Sequence, residues 1–548
     1  MKDKIMYGKL TNKIDITSNN YMEDKDILLL IDGKELNKKL FINIKNSYIK
    51  KDEEFLNDIE DLFSVYLYDK KNNKLIIARD RMGLKPVYYS IRKDSIIFGN
   101  DIMELVNNYK LKKDINVESL SMYFRYHYIN PPETIFKGIN KLVHGTYLVY
   151  KDGKTTINTY WSEIEKFNNT KEKENDKEII INKLDEILKK SLSKFLKTEK
   201  NIGFYMSGGI DSSLVTAICS KISSKKINTF SIGFYEEENN EAVRSKKISN
   251  YLGTNHHELY IDKETALETV KKIPKYYTEP FGEASALATI ILNEYAKENN
   301  IITAFTGDGA DQLFCGATLY DTLYKTQKCH RILNPLNLYI NNKIILKKRK
   351  LMYIYCNSNK DYYAQSETVL FDKYLNGLFI DNGTKRFDQE KNINTKNWQE
   401  KRMILDLGTF ISDRVNNKVN VAATKNGIEI RSPFLKHDMI EYSYSIPHKY
   451  KYYKKTKKYI LRELLYRYVP KEYFESKKRG FAIPTMLWLK TYFNKELKEF
   501  CKKDFVEKQG IFDYKVINNL LKDIDNKEIT NILWDYYIFQ LWYKEYIK

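Results

Sequence analysis

The sequence predicts an α/β protein in two parts: a layered antiparallel α+β domain, then a doubly wound parallel sheet with a helical C-terminal part. Three observations predict it. Within residues 63–98, short apolar runs come in pairs about polar turns such as Lys70-Lys71-Asn72-Asn73, the pattern of antiparallel hairpins. Between residues 202 and 305, apolar runs alternate with stretches of helical period, the pattern of a parallel sheet. Two of those runs end in glycine turns, Ser207-Gly208-Gly209-Ile210-Asp211-Ser212-Ser213 and Thr306-Gly307-Asp308-Gly309-Ala310-Asp311.

A chain of 548 residues, 42% hydrophobic, has room for two to four domains and a sizeable core. No apolar run approaches a membrane span, and mean hydropathy is −0.56. Met1-Lys2-Asp3-Lys4 leads into no secretory apolar core, so a cytoplasmic location is expected. The cysteines at 219, 315, 329, 356 and 501 are scattered, which points to neither a zinc site nor a disulfide framework. The net charge of +20 arises from 92 basic residues interleaved with 72 acids rather than gathered in one stripe. A general bias toward Lys, Asn, Ile and Tyr explains it better than a nucleic-acid face, so neither nucleic acid nor membrane is an expected partner.

Taken in order, residues 1–162 read as the strand-rich first domain. Residues 163–178, dense in Lys, Glu and Asn, read as a linker, either a solvated connector or a fraying helix start. A helix over 179–196 leads to a buried strand at 202–206. The glycine pair forces a tight turn there, and Ser212 opens the next helix. Strands follow at 227–234, 256–261 and 301–305. Helices lie between them at 240–252, closed by Gly253, and at 284–299.

In such sheets ligands bind at the carboxyl ends of the strands, where both glycine turns lie. The first turn has the character of a phosphate cradle: glycines admit an anion and the helix start offers N–H groups. It is neither a Walker loop nor Gly-x-Gly-x-x-Gly. Asp211 and Asp311 together form a suitable donor pair for Mg²⁺ between phosphate oxygens. His256 and His257, adjacent on a strand, point to opposite faces and cannot chelate one ion.

The motifs resemble those of the asparagine synthetase family, within the ATP pyrophosphatase group. Ser-Gly-Gly-Ile-Asp-Ser-Ser, Ser231-Ile232-Gly233-Phe234, Glu279-Pro280-Phe281-Gly282 and Thr-Gly-Asp-Gly-Ala-Asp-Gln-Leu-Phe occur in that family's order. Gly427-Ile428-Glu429-Ile430-Arg431-Ser432-Pro433-Phe434-Leu435, Lys458-Tyr459-Ile460-Leu461-Arg462 and Lys477-Lys478-Arg479-Gly480-Phe481 continue the match. Ala78-Arg79-Asp80-Arg81-Met82-Gly83 and Asn130-Pro131-Pro132-Glu133 resemble the family's glutaminase domain, of Ntn type. The resemblance covers the chain except residues 1–25 and 317–400; the latter form helices over the crevice or a structural insertion in a synthetase domain of residues 179–548.

The resemblance implies roles. Ser207, Gly208, Gly209, Asp211 and Ser212 cradle pyrophosphate; Ser231 and Gly233 line the adenosine side; Thr306 and Gly307 approach AMP; Asp211 and Asp311 bind magnesium. Asp308 stands where the family has Glu and orients the acceptor. Lys478 meets the charge that develops at phosphorus and at the tetrahedral intermediate. Glu429 either orients the amine or pins Arg431.

The family's glutaminase uses an N-terminal cysteine, an early arginine and a Gly-Ser-Asp segment. Here position 2 is Lys2, the first cysteine is Cys219, the first arginine is Arg79, and that segment has no counterpart. Ile31-Asp32-Gly33 carries Asp32 where the family has Asn. Arg79 and Asp80 then read as structural. The implied chemistry is ATP- and Mg-dependent adenylation of a small-molecule or peptide carboxylate, then amide formation without glutamine hydrolysis. The amine is then part of the substrate, as in lasso peptide cyclases and β-lactam synthetases, where a precursor peptide and biosynthetic partner proteins would be implied. An ammonia-using asparagine synthetase and an inactive ATP-binding regulatory module are the alternatives; a homodimer is an option.

Overall fold

The computed structural model describes residues 5–11, 13–33, 36–60, 63–170, 173–198, 201–234, 241–333, 375, 377–381, 393–475 and 484–548. Most of residues 334–392, and with them most of the expected insertion, lie outside the described residues.

Two antiparallel sheets, of five and six strands, form the first domain. The strand Ile27–Asp32 shows why they stack. Leu28 and Leu30 point into the core between the sheets, while Ile27, Leu29 and Ile31 face the helix Lys38–Lys51 through Phe41, Ile44 and Tyr48. Strict alternation is lost because both faces are buried. Tyr66 stacks on Phe98 across the sheets, 5.3 Å between ring centroids. The outer face of the five-stranded sheet meets the helices Ile102–Asn108 and Val117–Tyr126, so the domain is a helix–sheet–sheet–helix stack.

The first half of the expected linker is ordered. Ser162 caps a helix Glu163–Asn169, and Glu163 and Ile164 are buried. Glu163 pairs with His144 at 3.2 Å and packs on Gly408. Of the two readings of this stretch the helix start is the one present; its first acid is held by His144, while Glu165 and Lys166 stay exposed. The helix Lys177–Thr198 follows.

The third sheet is parallel, with strands in the order Asn255–Ile261, Asn228–Phe234, Ile202–Tyr205, Thr303–Phe305, Glu429–Arg431. The chain starts in the middle, runs outward on one side, then crosses to the other. The order reverses between Ile202–Tyr205 and Thr303–Phe305, which defines a switch point. Phe204 and Phe305 face the helices Lys177–Thr198 and Ile210–Ile222. Tyr205, Ala304 and Ile430 face Ala286–Glu298 and Asn416–Lys425. The C-terminal helix Lys527–Tyr546 is buried on nearly every side, with Trp534, Tyr536, Tyr537, Phe539 and Trp542 enclosed. It packs on both the second domain's Lys263–Tyr276 and the first domain's Val117–Tyr126. Among the described residues no helix is long and apolar enough to cross a membrane.

Candidate active site

Both glycine turns leave the sheet at the switch point and touch. Gly208 has φ +66°, and a Cβ there would come within 3.1 Å of the Ser245 backbone nitrogen. The turn closes by a hydrogen bond from the Ser207 N–H to Ser212 Oγ at 3.2 Å, with the two hydroxyls 3.3 Å apart. Gly209 then caps the helix Ile210–Ile222. From the second turn, Gly307 lies against that helix start. A Cβ on it would sit 2.7 Å from Asp211 Cβ and 2.8 Å from the Ser212 nitrogen. Only glycine lets the two turns approach so closely. Thr306 is buried, and its N–H donates to Arg431 O at 3.0 Å, tying the second turn to the last strand.

Asp211 and Asp311 converge on one ammonium. Lys458 Nζ pairs with Asp211 Oδ2 and with Asp311 Oδ1, the latter at 2.8 Å. The lysine is held in place. Its backbone is left-handed, at φ 53°, its N–H donates to Phe314 O, and its stem lies on Gly316. Burial works against its charge, but the two carboxylates outweigh it and hold its pKa well above the ordinary lysine value. The sequence showed Lys458 within a motif, not its place between the carboxylates; a left-handed residue 247 positions from Asp211 leaves no periodic signal. Among the described residues no group of three or more His, Cys, Asp or Glu could hold a metal, so an ion here would take two carboxylates and complete its shell with other oxygens.

Ser231 and Gly233 lie beyond the end of the central strand. Tyr205 pairs with Phe230, so Ser231–Phe234 continues past the first turn and forms a wall beside it. Ser231 Oγ is 3.1 Å from His256 Nε2, and His256 Nδ1 meets Thr229 and Ser249 hydroxyls at 2.9 and 3.0 Å. Burial lowers the pKa of His256. His257 stacks on Phe230 instead, 4.6 Å away. The two histidines thus serve different neighbours.

Asp308 is half-buried. Burial raises its pKa, opposed by the charge of Lys418. Its carbonyl accepts from Ser432 Oγ at 2.6 Å. Lys418 donates to Ser285 Oγ at 3.0 Å, and Arg414 pairs with Glu283 nearby. This second charged cluster was not read from the sequence. Glu429 lies at the start of its strand and pairs with Arg431 at 2.9 Å, the pinning geometry of its two expected roles. Lys478 lies outside the described residues.

Fold and site together define a class: a two-domain α/β protein with two glycine turns and a carboxylate pair at the switch point of its parallel sheet. A profile described as asparagine synthase matches residues 183–544, and one described as a glutamine amidotransferase domain matches residues 43–161. The chain belongs to the asparagine synthetase family. It is 23% identical over 510 residues to asparagine synthetase [glutamine-hydrolyzing] 1 of Bacillus subtilis, covering 90% of this chain and 78% of that protein. It is 26% identical over 333 residues to a putative asparagine synthetase of Methanocaldococcus jannaschii, covering 60% and 63%. It is 20% identical over 522 residues to amidase chyE of Penicillium rubens, covering 86% and 77%. Membership makes the protein a carbon–nitrogen ligase whose general chemistry is ATP-dependent amidation.

Proposed function

We propose that the protein adenylates a small-molecule or peptide carboxylate with Mg·ATP, releases pyrophosphate, and joins the acyl group to an amine of the same substrate, without hydrolysing glutamine. The supporting observation is the convergence of Asp211 and Asp311, from two turns, on one positive charge at the switch point. Such a pair is the donor set magnesium takes beside phosphate oxygens and water, so these residues fit the ion. When bound, magnesium supplies neutralisation of phosphate charge.

The chain's own groups do the rest. Ser207, Gly208, Gly209 and Ser212 offer N–H and hydroxyl donors to pyrophosphate. Ser231 and Gly233 line the adenosine side, and Thr306 and Gly307 approach AMP. Lys458, which holds the carboxylate pair here, would yield it to magnesium, and Asp211 and Asp311 would then hold the ion. Asp308 holds the amine, and Lys478 meets developing negative charge. Removing such a donor costs about 2.7–4 kcal/mol. Holding acyl group and amine together supplies much of the remaining rate.

Loss of glutamine hydrolysis is supported by the absence of cysteine from residues 1–218. Asp32, in place of the family's Asn, pairs with Lys85 at 3.4 Å and accepts from Asn100 at 3.1 Å.

The test is carboxylate-dependent exchange of labelled pyrophosphate into ATP, abolished by Asp211→Asn. No exchange with any carboxylate would leave an ATP-binding module. The second reading is an asparagine synthetase that uses ammonia: the bacterial and archaeal relatives are named asparagine synthetases, of the glutamine-hydrolyzing kind, which favours asparagine as product but not ammonia as the nitrogen source. Asparagine and AMP formed from aspartate, ammonia and Mg·ATP would establish it and remove the substrate-borne amine.

A further inference from the structure

A small cavity of about 10 Å³ adjoins the second glycine turn. Three elements supply its polar wall. Gln312 comes from the helix Ala310–Leu313, where it is the neighbour of Asp311. Glu400 comes from the helix Trp398–Asp406. Lys451 ends the short helix His448–Lys451 and is the root of a hairpin, Tyr452–Tyr453 paired with Thr456–Lys457. That hairpin runs directly into Lys458, which holds Asp211 and Asp311. One wall of the cavity thus belongs to the segment of Asp311 and another to the segment of Lys458.

Two polar side chains in this wall are buried without a partner. Lys451 is 3% exposed and Gln312 5%. Among the described residues neither the Lys451 ammonium nor the Gln312 amide makes a hydrogen bond, and Lys451 pairs directly with no carboxylate. Packing seals off the Tyr444 hydroxyl in the same wall, but the Lys451 and Gln312 groups open onto the cavity. Glu400 has acceptor capacity to spare: one oxygen accepts from Thr395 Oγ1 at 2.9 Å, and the other lies 3.6 Å from Lys173 Nζ.

Electrostatics tie the two charges together. Burial lowers the Lys451 pKa to about 8, with the Glu400 charge opposing it. Burial works against the Glu400 charge as well, and the charges of Lys451, His448 and Lys173 outweigh it and lower its pKa. Lys451 and Glu400 therefore feel each other across a gap that neither side chain closes. A buried donor left unsatisfied is costly, and a charged one more so. One water needs ~10–15 Å³ and about two to four polar partners. The cavity has room for one such molecule, with two donors and a carboxylate around it.

We infer that this cavity holds one resident water, which accepts from Lys451 Nζ and the Gln312 amide and donates to Glu400. The water ties the helix that carries Asp311 to the root of the hairpin that ends at Lys458. Lys451 and Gln312 are then positioning residues: they act on the carboxylate pair through Lys458 and Asp311. A bare anion would meet the Glu400 charge, and a larger molecule has no room. The positioning role rests on the reading of Asp211 and Asp311 as donors to the ion; the water itself does not.

The test has two arms. A crystal structure of the full-length protein should show an ordered water within hydrogen-bond distance of Lys451 Nζ and of both Gln312 and Glu400. No density there, or a direct contact between Lys451 and Glu400 in its place, would overturn the water. The second arm is Gln312→Met, which removes one partner of the water without changing any charge. Lys458 should then be held less firmly on the carboxylates, and nucleotide-free protein should bind Mn²⁺ about threefold tighter by electron paramagnetic resonance. Unchanged or weaker Mn²⁺ binding by the folded variant would overturn the positioning role. If the wild-type protein binds no Mn²⁺ at all, the metal reading fails and the positioning role with it, while the density still decides the water.

Discussion

In the first domain two buried charges, Arg79 and Asp80, are closed in mainly on backbone groups. Arg79 donates to the carbonyls of Lys85, Leu142 and Gly83, and its one carboxylate contact, Asp413 at 3.4 Å, belongs to the second domain. Asp80 takes three N–H groups of its own turn. At the switch point of the second domain the charges are held against one another instead: two carboxylates on Lys458, and Glu283 on Arg414. A charge satisfied by fixed carbonyls stabilises a fold and has no reason to move. A charge satisfied by a side-chain ammonium faces a partner that an incoming cation can replace. The difference separates a scaffold from a working crevice, within one chain and across a shared interface.

The strongest attack on this contrast is Asp211→Asn. Pyrophosphate exchange should fall by about 10³-fold or more, roughly 4 kcal/mol of lost stabilisation. Activity above a tenth of wild type would remove the carboxylate pair from the mechanism. Arg79→Met should do the reverse: a loss of about 3–5 kcal/mol in stability, seen in chemical denaturation, because buried Asp413 and three carbonyls lose their partner. Exchange per folded molecule should change little.

Gly307→Ala sharpens the claim that the turns must touch. Its new methyl would meet Asp211 Cβ at 2.7 Å, so about 1–3 kcal/mol of strain should appear, with weakened ATP binding by calorimetry. Lys458→Gln removes the internal counter-ion. Nucleotide-free protein should then bind Mn²⁺ about tenfold tighter by electron paramagnetic resonance, about 1.4 kcal/mol. Unchanged affinity would mean that the lysine does not occupy the ion's place.

The smallest effect is at the interface. Asp535 and His127, 2.9 Å apart, join the C-terminal helix to the first domain. Burial raises the Asp535 pKa to about 6. For His127, burial works downward, but Asp535 outweighs it and raises its pKa above 6.5. Both groups hold protons more tightly in the folded state. Their contribution to stability is therefore present in acid and is lost as pH rises through about 6 and on past 6.5. Between pH 5.5 and 7.5 this pair should lower the melting temperature by on the order of 1–2 °C. Asp535→Asn should flatten that dependence.

Much of this was legible before any coordinates. The strands at 202–205 and 228–234 were marked by their apolar runs, as a parallel sheet buried on both faces requires, and the half-buried edge strand at 255–261 by its apolar end and the helices on either side. The split of His256 and His257 follows from the two-residue period of a strand. Other elements had no local signal. Glu429–Arg431 is a strand of three residues, too short for periodicity. Residues 407–415 form a π-helix that carries Asp413 toward Arg79 and Arg414 toward Glu283, a winding that tertiary contacts select. The helix at 163–169 looked solvated because its composition is polar, yet Glu163 is buried against His144.

The sequence alone determined the alternation of strands and helices over residues 202–305, the two glycine turns and the acids on them. These depend on periodicity, on glycine's freedom of conformation and on residue identity, all of which are local. Only the tertiary structure decided that Lys458 stands between Asp211 and Asp311 and that Arg79 reaches Asp413 across the domains. Each of these joins residues far apart in the chain, and a pairing of that kind is set by packing rather than by spacing.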